Sequence, residues 1–211
     1  MNRRIFAILL LSVVMAGVVR AEDLRSLFIN MPDSIMPALT KSERMDFLDY
    51  MDSNMKARVQ NKLGGESEMI ELKEDMLSVR TSQSGQLDMA LFKKRDGKNI
   101  ICIIRTVTTS YPDSRIAFYT EGWKPVPLKD LIELPQFDDY LTKAALKADS
   151  LDYFKKQSML RLQSVTPVDG ALEFRYTSLD YIGEDAERYK GWIKPEPLRY
   201  IWNGKRFRLG K

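Results

Sequence analysis

The hydrophobic pattern of this chain first has a helical period and then a strand period. Thr40-Lys41-Ser42-Glu43 fits a capping box, in which the Thr40 side chain accepts from the Glu43 amide and Glu43 reaches back. The apolar residues that follow share one helical face: Phe47, Leu48, Met51, Met55 and Val59. Gly64-Gly65 is a natural stop. The pattern therefore predicts one helix between Thr40 and the glycine pair.

The region from Met76 to Tyr119 alternates between apolar and polar residues and predicts antiparallel strands. Asp96-Gly97 lies between two alternating runs and indicates a hairpin turn. Ile100 to Val107 begins apolar on both sides, which is typical of a central strand covered on both faces. We predict a meander of roughly four strands here, with Cys102 as a buried strand residue.

The last third repeats this order on a smaller scale. Apolar residues take helical spacing from Phe137 to about Lys156, with a break expected at Asp149-Ser150. Two hairpins follow, with turns at Pro167 to Gly170 and at Asn203-Gly204. The sequence therefore predicts an α+β fold, a helix packed on an antiparallel β-meander with a second, smaller helix-plus-hairpins unit. The units span 22–135 and 136–211, as two domains or as one continuous domain.

A short sequence similarity relates the two units. The segment Gly122 to Leu128 recurs, with one inserted residue, as Gly191 to Leu198, and each copy contains Gly-Trp followed by two prolines. The similarity indicates a candidate duplication. The spacing to the preceding turn glycine differs between the copies, so chance similarity stays the alternative.

The first 21 residues have the layout of a secretory signal. Asn2-Arg3-Arg4 is positively charged, an apolar stretch runs from Ile5 to about Val19, and Val19-Arg20-Ala21 fits a cleavage site. The apolar stretch is too short to prefer permanent residence in a bilayer. We therefore predict a soluble exported product, periplasmic or extracellular, with no stable membrane insertion after cleavage.

Charge and composition exclude several classes of function. The leader holds three of the 33 basic residues and none of the 29 acidic ones, which leaves 30 against 29. Such a balance gives no basic footprint for nucleic acid. The chain has no histidine and one cysteine, so His-dependent triads, zinc sites and internal disulfides are excluded. We expect no cofactor and no metal, and interpret Asp46, Asp49 and Asp52 as a solvated helix face.

Aromatic and acidic side chains remain as candidates for a site. Aromatic residues are dense near the C-terminus: Tyr181, Tyr189, Trp192, Tyr200, Trp202 and Phe207. They predict either cross-strand core packing or an exposed platform for a glycan or peptide. For the platform we select Tyr181, Tyr189, Trp192 and Trp202, with Trp123 from the first unit.

Two acidic groups are the alternative, because glycoside hydrolysis needs two facing carboxylates. The groups are Asp138-Asp139 and Glu184-Asp185-Glu187. Adjacency in sequence does not establish a facing pair, and a solvated surface is the competing interpretation. We assign no catalytic residue.

Three further segments of the chain are Leu27 to Ser34, Arg44 to Asp52 and Asn61 to Gly65, continued by Asp113-Ser114 and by Phe118-Tyr119 before Trp123. Together they resemble a family of uncharacterised exported proteins from Bacteroidales-type bacteria. The resemblance implies a Gram-negative envelope setting and carries over no catalytic or ligand residue.

We expect an exported, non-catalytic binding or interaction protein whose ligand is a glycan, a peptide or an envelope protein. A carboxylate-dependent hydrolase acting on glycans and a structural envelope component are the alternatives. The oligomeric state is left open.

Overall fold

A computed structural model describes residues 22–210, so the predicted leader 1–21 lies outside the described residues. The described part begins with two helices, α1 (Leu24–Ile29) and α2 (Lys41–Asp52), joined by a turn-rich segment, residues 30–40, which we call the lead-in. Seven antiparallel strands follow in sequence order: β1 (Arg58–Gln60), β2 (Glu66–Leu72), β3 (Met76–Ser82), β4 (Gly85–Lys93), β5 (Asn99–Val107), β6 (Asp113–Thr120) and β7 (Pro125–Val126). Each strand pairs with the next, so the first sheet is a meander.

A second sheet of four antiparallel strands is formed by the last third of the chain. Between the two sheets the chain forms the short helices α3 (Leu128–Leu131) and α4 (Leu151–Gln157) and 3-10 turns at Phe137–Tyr140 and Ala145–Lys147. Within the second sheet, the connection from its second to its third strand holds α5 (Ala186–Tyr189) and 3-10 turns at Leu179–Asp185 and Lys190–Trp192. The strands are β8 (Gln163–Val168), β9 (Ala171–Tyr176), β10 (Leu198–Trp202) and β11 (Phe207–Leu209). The predicted α+β class is confirmed.

The seven-stranded sheet is the middle of three layers. Leu87, Met89 and Ile101 face a core shared with α1, α2 and the lead-in. The intervening residues on the same strands, such as Phe92 and Cys102, face a second core shared with the four-stranded sheet. Strand alternation thus gives each face of the middle sheet its own core. Across residues 22–210, no helix has both the length and the apolar character needed to cross a membrane.

The prediction of a central strand with both faces covered is confirmed for β5. Residues Ile100 to Ile104 are buried without interruption, and β5 pairs with both β4 and β6. Cys102 is fully buried, and burial raises the pKa of its thiol well above the usual value. A neutral, inaccessible thiol is a packing residue, in agreement with the sequence.

Two helix predictions were too long. The first helix ends at Asp52, since Asn54 takes a left-handed φ of 51°, and Val59 lies in β1 instead. The predicted helix over 137–156 is three short pieces. It breaks because Leu141 is extended and pairs with Ile193 in an isolated β-bridge.

The two Gly-Trp segments differ in backbone structure. Trp123 lies in the turn between β6 and the edge strand β7, with a φ of 58°. Trp192 ends a 3-10 turn before the inner strand β10. The two similar sequence segments therefore do not have equivalent local structures. The duplication stays a hypothesis from the sequence.

Arg44 fastens the lead-in to α2. Its side chain is buried, and its guanidinium donates to the carbonyl oxygens of Ile29, Met31 and Leu39 at 2.8–3.3 Å. It also donates to the Asp33 carboxylate at 3.3 Å. The turns of the lead-in have backbone hydrogen bonds of their own, such as Ile35 N–H to Pro32 O, and Arg44 supplies donors to three further carbonyl oxygens.

Candidate functional site

The selected aromatic residues do not form one surface. Tyr189 and Trp192 pack with Phe154, with ring centroids 4.6–5.2 Å apart, and Tyr189 is fully buried. Trp123 packs with Tyr119 on the helix-covered face of the first sheet. These three selected residues fill two separate clusters, and a role for them in ligand binding stays a prediction.

Tyr181 and Trp202 lie elsewhere, and Trp202 is half-buried against Phe92 and Phe207. Tyr181 is exposed and packs against Tyr111 with tilted rings, with centroids 4.3 Å apart. Trp202 donates its indole N–H to the Lys93 carbonyl at 2.7 Å and borders a cleft of about 610 Å³. The rim of that cleft carries four carboxylates: Glu22, Asp23, Glu74 and Asp75. Acidic rims on exposed loops are ordinary solvated surface.

Three of the five candidate carboxylates, those of Asp138, Asp139 and Glu187, have local partners. Asp138 forms an ion pair with Lys155 at 2.7 Å, and Asp139 accepts from the Gln136 amide at the start of a 3-10 turn. Glu187 pairs with Lys190 at 3.4 Å. In the part of the chain that the structure describes, no group of three or more Asp, Glu or Cys side chains is placed to hold a metal ion. A facing pair of these acids, as the hydrolase alternative requires, stays a prediction.

A largely apolar cleft lies where the lead-in meets the ends of β4, β5 and β6. We call it the arginine cleft. Its apolar lining comes from Ile35, Met36, Pro37, Ala38, Leu63, Leu87 and Val107. Its volume is about 450 Å³, within the range of about 300–1,000 Å³ that small-molecule sites occupy. Most of these walls belong to the buried core, so the cleft is preformed.

Two arginines border this apolar lining. Arg105 on β5 and Arg115 on β6 are directly opposite each other in the strand register. Arg105 donates to the Ile35 carbonyl at 2.7 Å. Arg115 has only a 3.6 Å contact with Asp113, and its side chain is 86% exposed. Two like charges opposite each other destabilise a strand pair, and a bound anion would relieve that repulsion.

A second cleft, of about 310 Å³, lies between β2–β5 of the first sheet and β8 of the second. We call it the inter-sheet cleft. Asp88 lines it and is only 5% exposed. Ser78 and Gln86 both donate to Oδ1 of Asp88, the latter at 2.9 Å. Burial nevertheless raises the pKa of the Asp88 carboxyl above its usual value, because the charged form loses its hydration.

Sequence reasoning missed both clefts. Asp88 falls on the same strand face as Phe92, so a carboxylate in an inward position was a visible signal. Arg105 directly follows the buried run of β5, and Arg115 lies three residues beyond a turn proline. The sequence does not show that these two arginines are opposite each other, because that depends on the register of β5 and β6.

Comparison with known proteins gives a family and a fold. A family model described as Protein of unknown function (DUF3256) matches residues 16–207. The chain is similar to a solved domain of an uncharacterized protein from Porphyromonas gingivalis W83, with 25% identity and a TM-score of 0.78. That match covers 89% of this chain and 98% of the other. No curated protein matches. Because the family model spans nearly the whole described chain, this protein belongs to the DUF3256 family of unknown function.

Proposed function

We propose that this protein is an exported, non-catalytic binding protein of the bacterial envelope that holds a small amphiphilic anion in the arginine cleft. The observation that carries the proposal is the pairing of an apolar cleft with Arg105 and Arg115 on neighbouring strands. The layout of residues 1–21 and the resemblance to exported proteins support the compartment.

The chemistry of the cleft selects the ligand class. The apolar walls would cover an aliphatic body, with burial worth about 25 cal/mol per Å² of apolar surface. The guanidinium groups would pair with a carboxylate, which they can do through two parallel hydrogen bonds. A fatty acid or another acyl carboxylate has both parts.

Titration of the purified protein with decanoate tests the ligand class. We expect saturable binding of decanoate and weaker binding of decanol, which has the same chain without the charge. The double variant Arg105→Gln, Arg115→Gln should bind decanoate about tenfold more weakly or worse. Since Arg105 also holds the lead-in, Arg115→Gln alone provides a milder variant.

Arg208→Gln is the matched control, because Arg208 is exposed on the edge strand β11 of the other sheet. Equal decanoate affinity in the double variant and in the Arg208→Gln control would refute the arginine cleft as the site. Export has its own test: mass spectrometry of the fractionated protein should find Glu22 at the N-terminus, and an intact Met1 in the cytosol would refute it.

A further inference from the structure

The inter-sheet cleft is chemically opposite to the arginine cleft. Its lining includes hydroxyl and amide side chains from both sheets: Ser78, Gln86, Thr106, Ser164 and Thr166. Two carboxylates, Asp88 and Glu71, also line it, and none of its lining side chains among residues 22–210 is basic. The cleft therefore favours ligands that donate hydrogen bonds or carry positive charge.

Asp88 has an oxygen that the protein leaves without a partner. Both protein donors, Ser78 and Gln86, converge on Oδ1. Within residues 22–210, no side chain or main-chain group donates to Oδ2, although the residue is 5% exposed. Oδ2 is not among the fully enclosed side-chain atoms that lack a partner, so it is open to the cleft, where water or a ligand can donate to it. A ligand that donates to Oδ2 would complete the hydrogen bonding of a residue that is otherwise buried.

Hydrogen bonds hold polar side chains beside Asp88 in place. Gln86 and Thr106 are opposite each other in the β4–β5 register, and Thr106 is hydrogen-bonded to Ser114 at 2.8 Å. Ser114 in turn accepts from the Val165 amide of β8 at 3.0 Å. This network joins the two sheets at the cleft, so the Ser78 and Thr106 hydroxyl groups are held in place without a ligand.

We propose that the inter-sheet cleft binds a small hydroxylated amine of the amino-sugar type, whose ammonium group donates to Oδ2 of Asp88. The ring hydroxyls of the ligand pair with the side chains of Gln86, Thr106 and Ser164. A volume of about 310 Å³ is at the lower end for small-molecule sites, which suits one sugar ring and not an oligosaccharide. The two clefts share Gln86 and Thr106 in their linings, whereas Asp88 lines only the inter-sheet cleft and the two arginines line only the arginine cleft. The proposal does not depend on anion binding at the arginine cleft.

Glucosamine and N-acetylglucosamine are matched probes, because they share the ring and differ in whether the nitrogen is an ammonium or a neutral amide. We expect glucosamine to bind the purified protein at millimolar concentrations and to shift the backbone amide signals of Ser78, Asp88 and Thr106 in NMR spectra. N-acetylglucosamine should bind at least about tenfold more weakly, because a neutral amide forms no charge-assisted hydrogen bond.

The variant Asp88→Asn keeps the acceptor for Ser78 and Gln86 and removes the negative charge. It should weaken glucosamine binding at least about tenfold while leaving decanoate binding unchanged. Arg115→Gln should weaken decanoate binding and leave glucosamine binding unchanged. Glucosamine that fails to bind, that binds no better than N-acetylglucosamine, or that binds the Asp88→Asn variant equally well would overturn the proposal.

Discussion

Arg44 and Asp88 are both charged side chains buried beside the same sheet, one on each face, and they differ in how completely the protein pairs them. Arg44 donates to three carbonyl oxygens and to the Asp33 carboxylate. Asp88 receives two donors on one oxygen and none from residues 22–210 on the other. A buried charge whose hydrogen bonds are all made within the protein stabilises the fold. A buried charge that is only half-paired, and lies at a cleft, is available for a ligand.

The surroundings of the two residues explain the difference. Arg44 is enclosed by the lead-in, whose turns leave carbonyl oxygens pointing inward. Asp88 lies where the second sheet meets the first, and β8 contributes side chains that cover it only in part. Arg44 is therefore fully enclosed and stabilises the fold, whereas Asp88 is only partly covered and stays accessible to a ligand.

Arg44→Met tests the fully paired charge and should have the largest effect. Removal of the guanidinium leaves three inward-facing carbonyl oxygens without this donor, whereas the exposed Asp33 carboxylate keeps its pairing with Lys62. We expect a loss of about 3–5 kcal/mol in the free energy of unfolding, measured by urea denaturation. Arg44→Lys should be intermediate, because an ammonium cannot reach all the acceptors. A loss below about 1 kcal/mol for Arg44→Met would show that the lead-in does not depend on this residue.

Ser78→Ala tests the paired oxygen of Asp88. The variant removes a hydrogen bond to a buried carboxyl, so the free energy of unfolding should fall by about 1–3 kcal/mol. Ser164→Ala is the matched control, since Ser164 lines the same cleft without donating to Asp88. Equal urea midpoints for the two variants would mean that the protein does not stabilise Asp88 through Ser78.

Thr40→Ala tests how the helix that carries Arg44 begins. The Thr40 hydroxyl accepts from the Glu43 amide at 3.1 Å, and Glu43 reaches back to the Thr40 amide. Loss of this capping box should lower the free energy of unfolding by about 1 kcal/mol. Ser42→Ala changes an exposed residue of the same turn and should have little effect. A larger loss for Ser42 would contradict the assigned cap.

Asp88→Asn should change the free energy of unfolding least of these variants at acidic pH. At higher pH it should stabilise the protein, whereas the other variants destabilise it. Burial raises the pKa of Asp88 in the folded chain, so its contribution to stability is present below the unfolded-state pKa and is lost as pH rises through the folded value. The variant should therefore gain stability relative to the parent as pH rises, in urea titrations at several pH values.

Asp52→Asn supplies the opposite trend as a control. Arg25 donates to the exposed Asp52 carboxylate at 2.7 Å and lowers its pKa. The stability from that pair is present above the unfolded-state pKa of Asp52 and is lost as pH falls. If both variants showed the same pH trend, burial would not be the cause of the shift at Asp88.

The sequence by itself determined most of the elements, because their signals are local. Alternation predicted β4, and a run that begins apolar on both sides predicted β5. Asp96-Gly97 predicted the turn between them, and the capping box placed the start of α2. Strands without strong alternation were missed, β2 above all, and the spacing of Met55 and Val59 extended a helix that Asn54 ends. Periodicity reports which side of an element is apolar, and it fails where an exposed residue falls in phase by chance.

Tertiary structure alone decided which side chains meet. The dense aromatic residues near the C-terminus were divided among separate cores, since each strand face packs on a different layer. Arg105 and Arg115, ten residues apart, became neighbours through strand register, and Asp88 became half-paired because β8 covers it incompletely. Burial, register and the completeness of hydrogen bonding depend on contacts between distant segments, and no local pattern of residues specifies them.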